Sequence, residues 1–241
     1  MNKIYKILDW DTDFFQRKIA SINGCEVDEE LIDNAIHKLF KQGIECIYLI
    51  MRKPFNTEKY DIVLADRKRT YIHSIPEYKE LKYLEEITIQ SPIYDGNSSD
   101  LYGLAIQSGE YSRFKVDTHF STLEFENLYK KWVDNSVNGD FADYVIVAMD
   151  SLPRGLITGK IYSDKIIIGL FATDHCYRGR GIGSLLMQKI LNEAADKSLK
   201  VEVVTQADNR HACTFYENFD FKMADEIYIY HIWNSTHKNV K

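Results

Sequence analysis

The residues of this 241-residue sequence whose types and spacing most directly suggest chemistry are Arg178-Gly179-Arg180-Gly181-Ile182-Gly183. Three glycines at alternate positions let a backbone fold into a nest with its N–H groups turned inward. Apolar residues at helical spacing follow (Ile182, Leu185, Leu186, Ile190, Ala194), so a helix N-terminus adds unpaired N–H groups and the positive end of its dipole. Such a turn suits a pyrophosphate, and Arg178 and Arg180 bring charged donors to it. A Walker loop is excluded, because no Gly-Lys-Ser/Thr follows. A dinucleotide fingerprint is excluded too, since the third glycine comes one residue early and the preceding strands read as antiparallel. From the glycines alone, a tight strand-to-helix turn without a ligand stays open.

Other residues could act beside this turn. Asp174 and His175 lie just past the strand that leads into it, where Asp174 could face a second substrate. Asn209 and Tyr216 lie at the start and on the face of a short downstream helix. A phenol stays protonated at neutral pH and can serve as an acid, although most tyrosines are core aromatics. Arg113 sits between aromatics in Tyr111-Ser112-Arg113-Phe114, as a phosphate ligand or a surface ion pair. Asp9, Asp11 and Asp13 alternate around Trp10 at strand spacing. Cys25, Cys46, Cys176 and Cys213 form neither a CxxC pair nor a zinc pattern and read as reduced thiols, so no metal is expected.

The elements that must position these residues fall into two parts. In the first, Asp28 caps a helix with Leu31, Ile32, Ala35, Ile36, Leu39 and Phe40 on one face, ended by Gly43. Ile44–Met51 reads as a buried strand. Asp61–Ala65 and Thr70–Ile75 read as strands about a charged turn, Asp66-Arg67-Lys68-Arg69. Turn formers at Gln90–Asp100 mark a boundary, giving an N-terminal α/β domain over residues 1–95 and a second domain over 101–241. The second opens with a capping box, Ser121-Thr122-Leu123-Glu124, and a helix ended by Asn138-Gly139. Strands Tyr144–Met149, Gly155–Ile161 and Lys165–Ala172 form an antiparallel meander. A helix (Ile182–Lys197), a strand (Val201–Gln206), a short helix (Arg210–Asn218) and a last strand (Ile227–Trp233) complete an α+β order.

Composition narrows the function classes. The formal charge is −6 and the pI near 5.7, and no long Lys/Arg run occurs, which speaks against nucleic-acid and anionic-membrane partners. No apolar stretch has the length of a membrane span. The start, Met1-Asn2-Lys3-Ile4-Tyr5-Lys6, lacks the apolar core of a signal peptide, so a cytoplasmic protein is expected.

Arg178-x-x-Gly181-x-Gly183 resembles the Gln/Arg-x-x-Gly-x-Gly/Ala signature of the GCN5-related N-acetyltransferase (GNAT) family. Strand Val201–Gln206, Asn209, Ala212 and Phe215-Tyr216-Glu217 resemble the family's next element, and the likeness covers about residues 110–233. One position departs: Asp220 stands where the family usually has glycine. The resemblance implies a GNAT fold, a mixed and mostly antiparallel sheet flanked by helices, here with a smaller N-terminal α/β domain. It implies acetyl-CoA as co-substrate, lying in a split between strands Lys165–Ala172 and Val201–Gln206. Phe171, Ala172 and Thr173 would offer backbone contacts to it, and Arg178, Gly179, Arg180, Gly181, Ile182, Gly183 and Ser184 would hold its pyrophosphate. Asn209 would be a further cofactor contact. Tyr216 would be the general acid for the thiolate that leaves when an amine attacks directly. The base is unassigned.

Within the family the sequence is most similar to bacterial dTDP-fucosamine acetyltransferases. The similar stretches are Leu8–Phe15, Val63–Asp66 with Thr70-Tyr71, and Tyr111–Asp117. They imply a nucleotide-linked amino sugar of the dTDP-4-amino-4,6-dideoxyhexose type as acceptor, in cell-surface polysaccharide biosynthesis, and leave room for a homodimer. An acetyltransferase for a protein N-terminus or another small amine, and an acyl-CoA sensor without turnover, are the other readings.

Overall fold

The structure, a computed structural model, describes residues 4–234, so Met1–Lys3 of the start read above lie outside the described residues. The chain begins with β1 (Tyr5–Ile7), α1 (Asp9–Phe15), β2 (Ile19–Asn23), α2 (Glu29–Lys41), β3 (Cys46–Met51) and β4 (Asp61–His73). After β5 (Thr88–Gln90) come three helices, α3 (Tyr102–Ser108), α4 (Arg113–Val116) and α5 (Thr122–Val137). The meander β6 (Tyr144–Met149), β7 (Pro153–Ile161) and β8 (Lys165–Thr173) follows, then α6 (Ile182–Asp196), β9 (Lys200–Gln206), α7 (Arg210–Asn218) and β10 (Lys222–Trp233).

The strands make one ten-stranded sheet in the order β1-β2-β3-β10-β4-β9-β8-β7-β6-β5. The pairs β2–β3 and β8–β9 are parallel and the other described pairs antiparallel, which is the expected mixed α+β sheet. Segments 1–95 and 101–241 share this sheet: β4 lies between β9 and β10, and β5 adds to the edge of β6. On one face α6 buries Ile182, Leu186 and Ile190 against Ile146, Ile157 and Val203. On the other, α3 and α5 bury Leu104, Phe125 and Val133 against Val145, Leu156 and Leu170. Helix α2 covers β2 and β3 through Ile32, Ile36 and Leu39.

Asp28 stands at the N-cap of α2 but makes no side-chain cap hydrogen bond. The Ser121–Glu124 capping box has both of its reciprocal bonds, and Gly139 ends that helix at φ +87°. Asp220 takes φ +62°, so aspartate fills the turn where the family usually has glycine.

Two expectations are overturned. Asp9–Asp13 is a helix, not a strand: Trp10 and Phe14, one turn apart, stack at 5.1 Å, and Asp9 and Asp11 lie in the positively charged first turn. Asp66–Arg69 is no turn but the middle of the 13-residue strand β4. Its charges are answered from β10, where Glu226 meets Arg69 Nε at 2.6 Å and Arg67 at 3.4 Å. Among the described residues no helix is long and apolar enough to cross a membrane, and all four cysteines are free thiols.

Candidate active site

The site is built on an interrupted strand pair. β8 runs parallel to β9 from Lys165, opposite Lys200, to Ile168, opposite Val203, and pairs no further. At the same point its register with β7 slips between Ile157 and Gly159, so β8 carries one extra residue around Gly169 and Leu170. A bulge of this kind bends its strand. The buried Thr158 hydroxyl fixes it by accepting the Leu170 amide at 2.8 Å. Leu170 N and Asp174 N, which donates to Arg154 O at 2.9 Å, both face β7. Strand alternation then turns the Phe171 and Thr173 amides toward the gap beside β9 and the Ala172 amide toward β7.

The gap opens into a cleft of about 850 Å³. Its wall includes Phe171, Ala172, Thr173, Arg178, Gly179, Gly181, Ile182, Gly183, Ser184, Asn209, Tyr216 and Arg113. Gly179 and Gly181 take φ +78° and +86°, and Gly181 is the N-cap of α6 without a side-chain cap. The first-turn amides of α6 have no partner within the helix and end at the cleft. Arg178 Nε reaches back to Thr173 O at 3.4 Å, tying the turn to the end of β8. A Cβ at Gly181 would lie 3.4 Å from Leu84, so the connection between β4 and β5 also packs on this turn. That connection is pinned to α6 by Asn192, which accepts from Lys79 N and donates to Lys79 O.

Arg180 and Asp174 are absent from that wall. Arg180 lies over the Tyr177 ring, 4.6 Å from its centroid. Asp174 accepts the Cys176 amide at 2.9 Å and faces Arg154 at 3.4 Å. Asp174, His175 and Cys176 bring ligand-type atoms within 4.8 Å of one another, but the aspartate is already engaged by these two donors and the other residues are exposed.

Tyr216 is 5% exposed on α7, with its ring against Phe171, Phe215 and Phe221. Burial, and then the neighbouring Cys213 thiol, push its phenol well above the ordinary tyrosine range. It therefore stays protonated at neutral pH. Asn209 caps α7 by accepting the Ala212 amide at 3.1 Å, so its cap role is realised at the cleft wall.

At the far end of the cleft, on the α3–α5 side of the sheet, Arg113 lies over the Tyr48 ring at 4.1 Å and the Phe114 ring at 4.5 Å. Several wall residues carry no site role in the sequence reading: Lys68, Gln107, Tyr129, Trp132, Gln206, and Tyr111 and above all Asp66, which fall there within stretches of likeness. Asp66 is 9% exposed, and its Oδ1 has no hydrogen-bond partner. Burial raises its pKa to about 6, against the opposing pull of Arg113, Gln206 and Lys68. No local signal marks it, because its surroundings come from β9, α4 and α5.

A bulged strand parting from its parallel neighbour, with a glycine nest opening the next helix, defines an acetyltransferase type of α+β fold. Residues 109–221 match the family model described as Acetyltransferase (GNAT) family. That segment, a little under half of the chain, is thus similar to GNAT acetyltransferases, a family whose acetyl donor is acetyl-CoA. It is similar to the spore coat polysaccharide biosynthesis protein SpsD of Bacillus subtilis (strain 168), with 27% identity over 143 residues, 59% of this chain and 50% of that protein. The chain thus spans about half the length of the curated relative it matches. A functionally unknown conserved protein from Staphylococcus epidermidis ATCC 12228 shares the fold at TM-score 0.66 and 15% identity, over 90% of this chain and 85% of that one. So does a GCN5-related N-acetyltransferase from Sphaerobacter thermophilus, at TM-score 0.61 and 12% identity, over 94% and 75%.

Proposed function

We propose that this protein transfers the acetyl group of acetyl-CoA to the amine of a nucleotide-linked amino sugar, of the 4-amino-4,6-dideoxyhexose type. The observation that carries this reading is one cleft joining three features. It has a phosphate-type nest at one side, a buried phenol beside the strand gap, and an arginine stacked on aromatics at the far end. The polysaccharide role in the name of the Bacillus subtilis relative supports a sugar-related acceptor. In this reading Arg113, Tyr111 and Trp132, which line the cleft, would meet the acceptor, Arg113 its diphosphate and the two rings its sugar or base.

The chemistry follows from the site. Gap-facing amides on β8 polarise the thioester carbonyl and hold the developing oxyanion. The amine attacks the carbonyl carbon directly, the C–S bond breaks, and the thiolate takes the Tyr216 proton. No covalent enzyme intermediate is required.

The test is release of free thiol from acetyl-CoA against a panel of nucleotide 4- and 3-amino sugars, aminoglycosides, polyamines and peptides. The largest kcat/KM is expected for a nucleotide 4-amino sugar. Faster turnover of a polyamine or peptide would overturn the acceptor class, and no thiol release with any amine would favour a sensor.

A further inference from the structure

Asp66 is a buried carboxylate that the reaction as written does not use. The β4–β9 ladder ends at Lys68 opposite Gln206, so Asp66 lies just beyond it, at the same end of β9 where β8 has departed. Alternation along β4 sends Arg67, Arg69 and Tyr71 toward α7 and sends Asp66 and Lys68 into the cleft from the opposite face. Tyr216 reaches the same cleft from the α7 face. The two groups thus approach the strand gap from opposite sides of the sheet.

A carboxylate oxygen that is buried and unpartnered costs stability unless something meets it. Around it stand Arg113 from α4, Lys68 from its own strand, Gln206 and Asp208 from the end of β9, and the Tyr129 hydroxyl side of α5. Arg113 is engaged with the Tyr48 ring, Asp66 lines the cleft, and its buried Oδ1 has no hydrogen-bond partner.

We infer that Asp66 is the general base of acetyl transfer, its carboxylate taking the proton of the attacking amine. This rests on the acetyl-transfer reading above but not on the acceptor being a sugar. As the N–C bond forms, one N–H proton passes to Asp66. As the C–S bond breaks, the electron pair goes to sulfur and the thiolate takes the Tyr216 proton. One proton is taken and one delivered, and exchange with cleft water returns the Asp66 proton to the Tyr216 phenolate. A base on the amine side and an acid on the thiol side suit an attack across the sheet.

The test uses the full chain and whichever amine of the panel is turned over best, so a wrong acceptor class does not touch it. Asp66→Asn is expected to bind acetyl-CoA with unchanged affinity by calorimetry. Its kcat should fall roughly 10²-fold or more. In the wild type, kcat at saturating amine should rise with pH through about 6, and the variant should lack that limb. Asp66→Glu, which keeps the carboxyl, should keep the limb. An Asp66→Asn variant with wild-type kcat, a raised KM alone, or lost acetyl-CoA affinity would overturn the assignment. Carboxyl titration by carbon-13 NMR needs no turnover. A resonance titrating near pH 6 in the wild type and missing in Asp66→Asn is expected, whereas titration in the ordinary carboxylate range would overturn it.

Discussion

Ile168 of β8 and Val203 of β9 are the last partners of their parallel pair, and the Thr158 hydroxyl holds the Leu170 amide just past the point where the strands part. The gap proposed to receive a thioester is therefore set by one bulge and one buried hydrogen bond.

Thr158→Val tests that bulge. The change is nearly isosteric but leaves the Leu170 amide without its acceptor, a loss of about 1–3 kcal/mol for a buried donor. Denaturant unfolding should show that destabilisation, and calorimetry should show weaker acetyl-CoA binding. Unchanged stability and affinity would mean that the bulge is held by the sheet alone.

Gly181 and Gly183 should respond differently. Gly181 is at φ +86°, where a side chain is strained by about 1–2 kcal/mol, and its Cβ would meet Leu84. Gly183 has an ordinary helical backbone, and a Cβ there finds Thr173 Oγ1 at 3.4 Å and Phe171 and Phe215 at 3.7 Å, all normal contacts. Gly181→Ala is expected to lower both Tm and acetyl-CoA affinity, and Gly183→Ala to leave both close to wild type. Equal losses in the two variants would place the constraint in cleft volume rather than in backbone conformation.

These differences mark what could be read from the sequence. The nest, the capping box at Ser121 and the Tyr216 helix are written in neighbouring residues, so their geometry follows from local dihedrals and periodicity. Asp66-Arg67-Lys68-Arg69 looks like a turn because four charges in a row rarely sit mid-strand; Glu226 on β10 answers Arg67 and Arg69, while Asp66 and Lys68 line the cleft. The catalytic surroundings of Asp66, and the stacking of Arg113 on Tyr48, depend on β4 entering the sheet between β9 and β10. Short-range patterns carry no record of that insertion. The segment Asp9–Phe15 is ambiguous for another reason: seven residues satisfy a period of 2 nearly as well as one of 3.6.

Acid should loosen the buried contact between β10 and the α4–α5 connection. His231 is fully buried, and burial holds it neutral down to about pH 4 although Asp117 pulls the other way. Burial alone would raise Asp117, but hydrogen bonds with His231 and His119 hold it well below the ordinary range. Both folded pKa values are depressed, so the unfolded chain binds more protons as pH falls from about 6.5 toward 4, and stability drops over that window. The His231 shift corresponds to on the order of 3 kcal/mol. The raised Asp66 opposes it in sign, which makes the comparison with His231→Gln the informative one. Thermal unfolding between pH 7 and 4.5 should show a shallower acid loss in His231→Gln from a lower starting Tm. Parallel wild-type and variant curves would contradict the buried neutral imidazole.

Tyr216→Phe is the most direct measurement of the central claim that this cleft transfers acetyl groups with a phenol as the acid. The ring and its packing on Phe171, Phe215 and Phe221 are kept, so acetyl-CoA affinity should change little. Losing the proton donor to the departing thiolate should lower kcat by about 10²–10⁴-fold in the thiol-release assay, with the best amine held at saturation. Turnover at the wild-type rate by Tyr216→Phe, with acetyl-CoA bound as tightly as before, would contradict it.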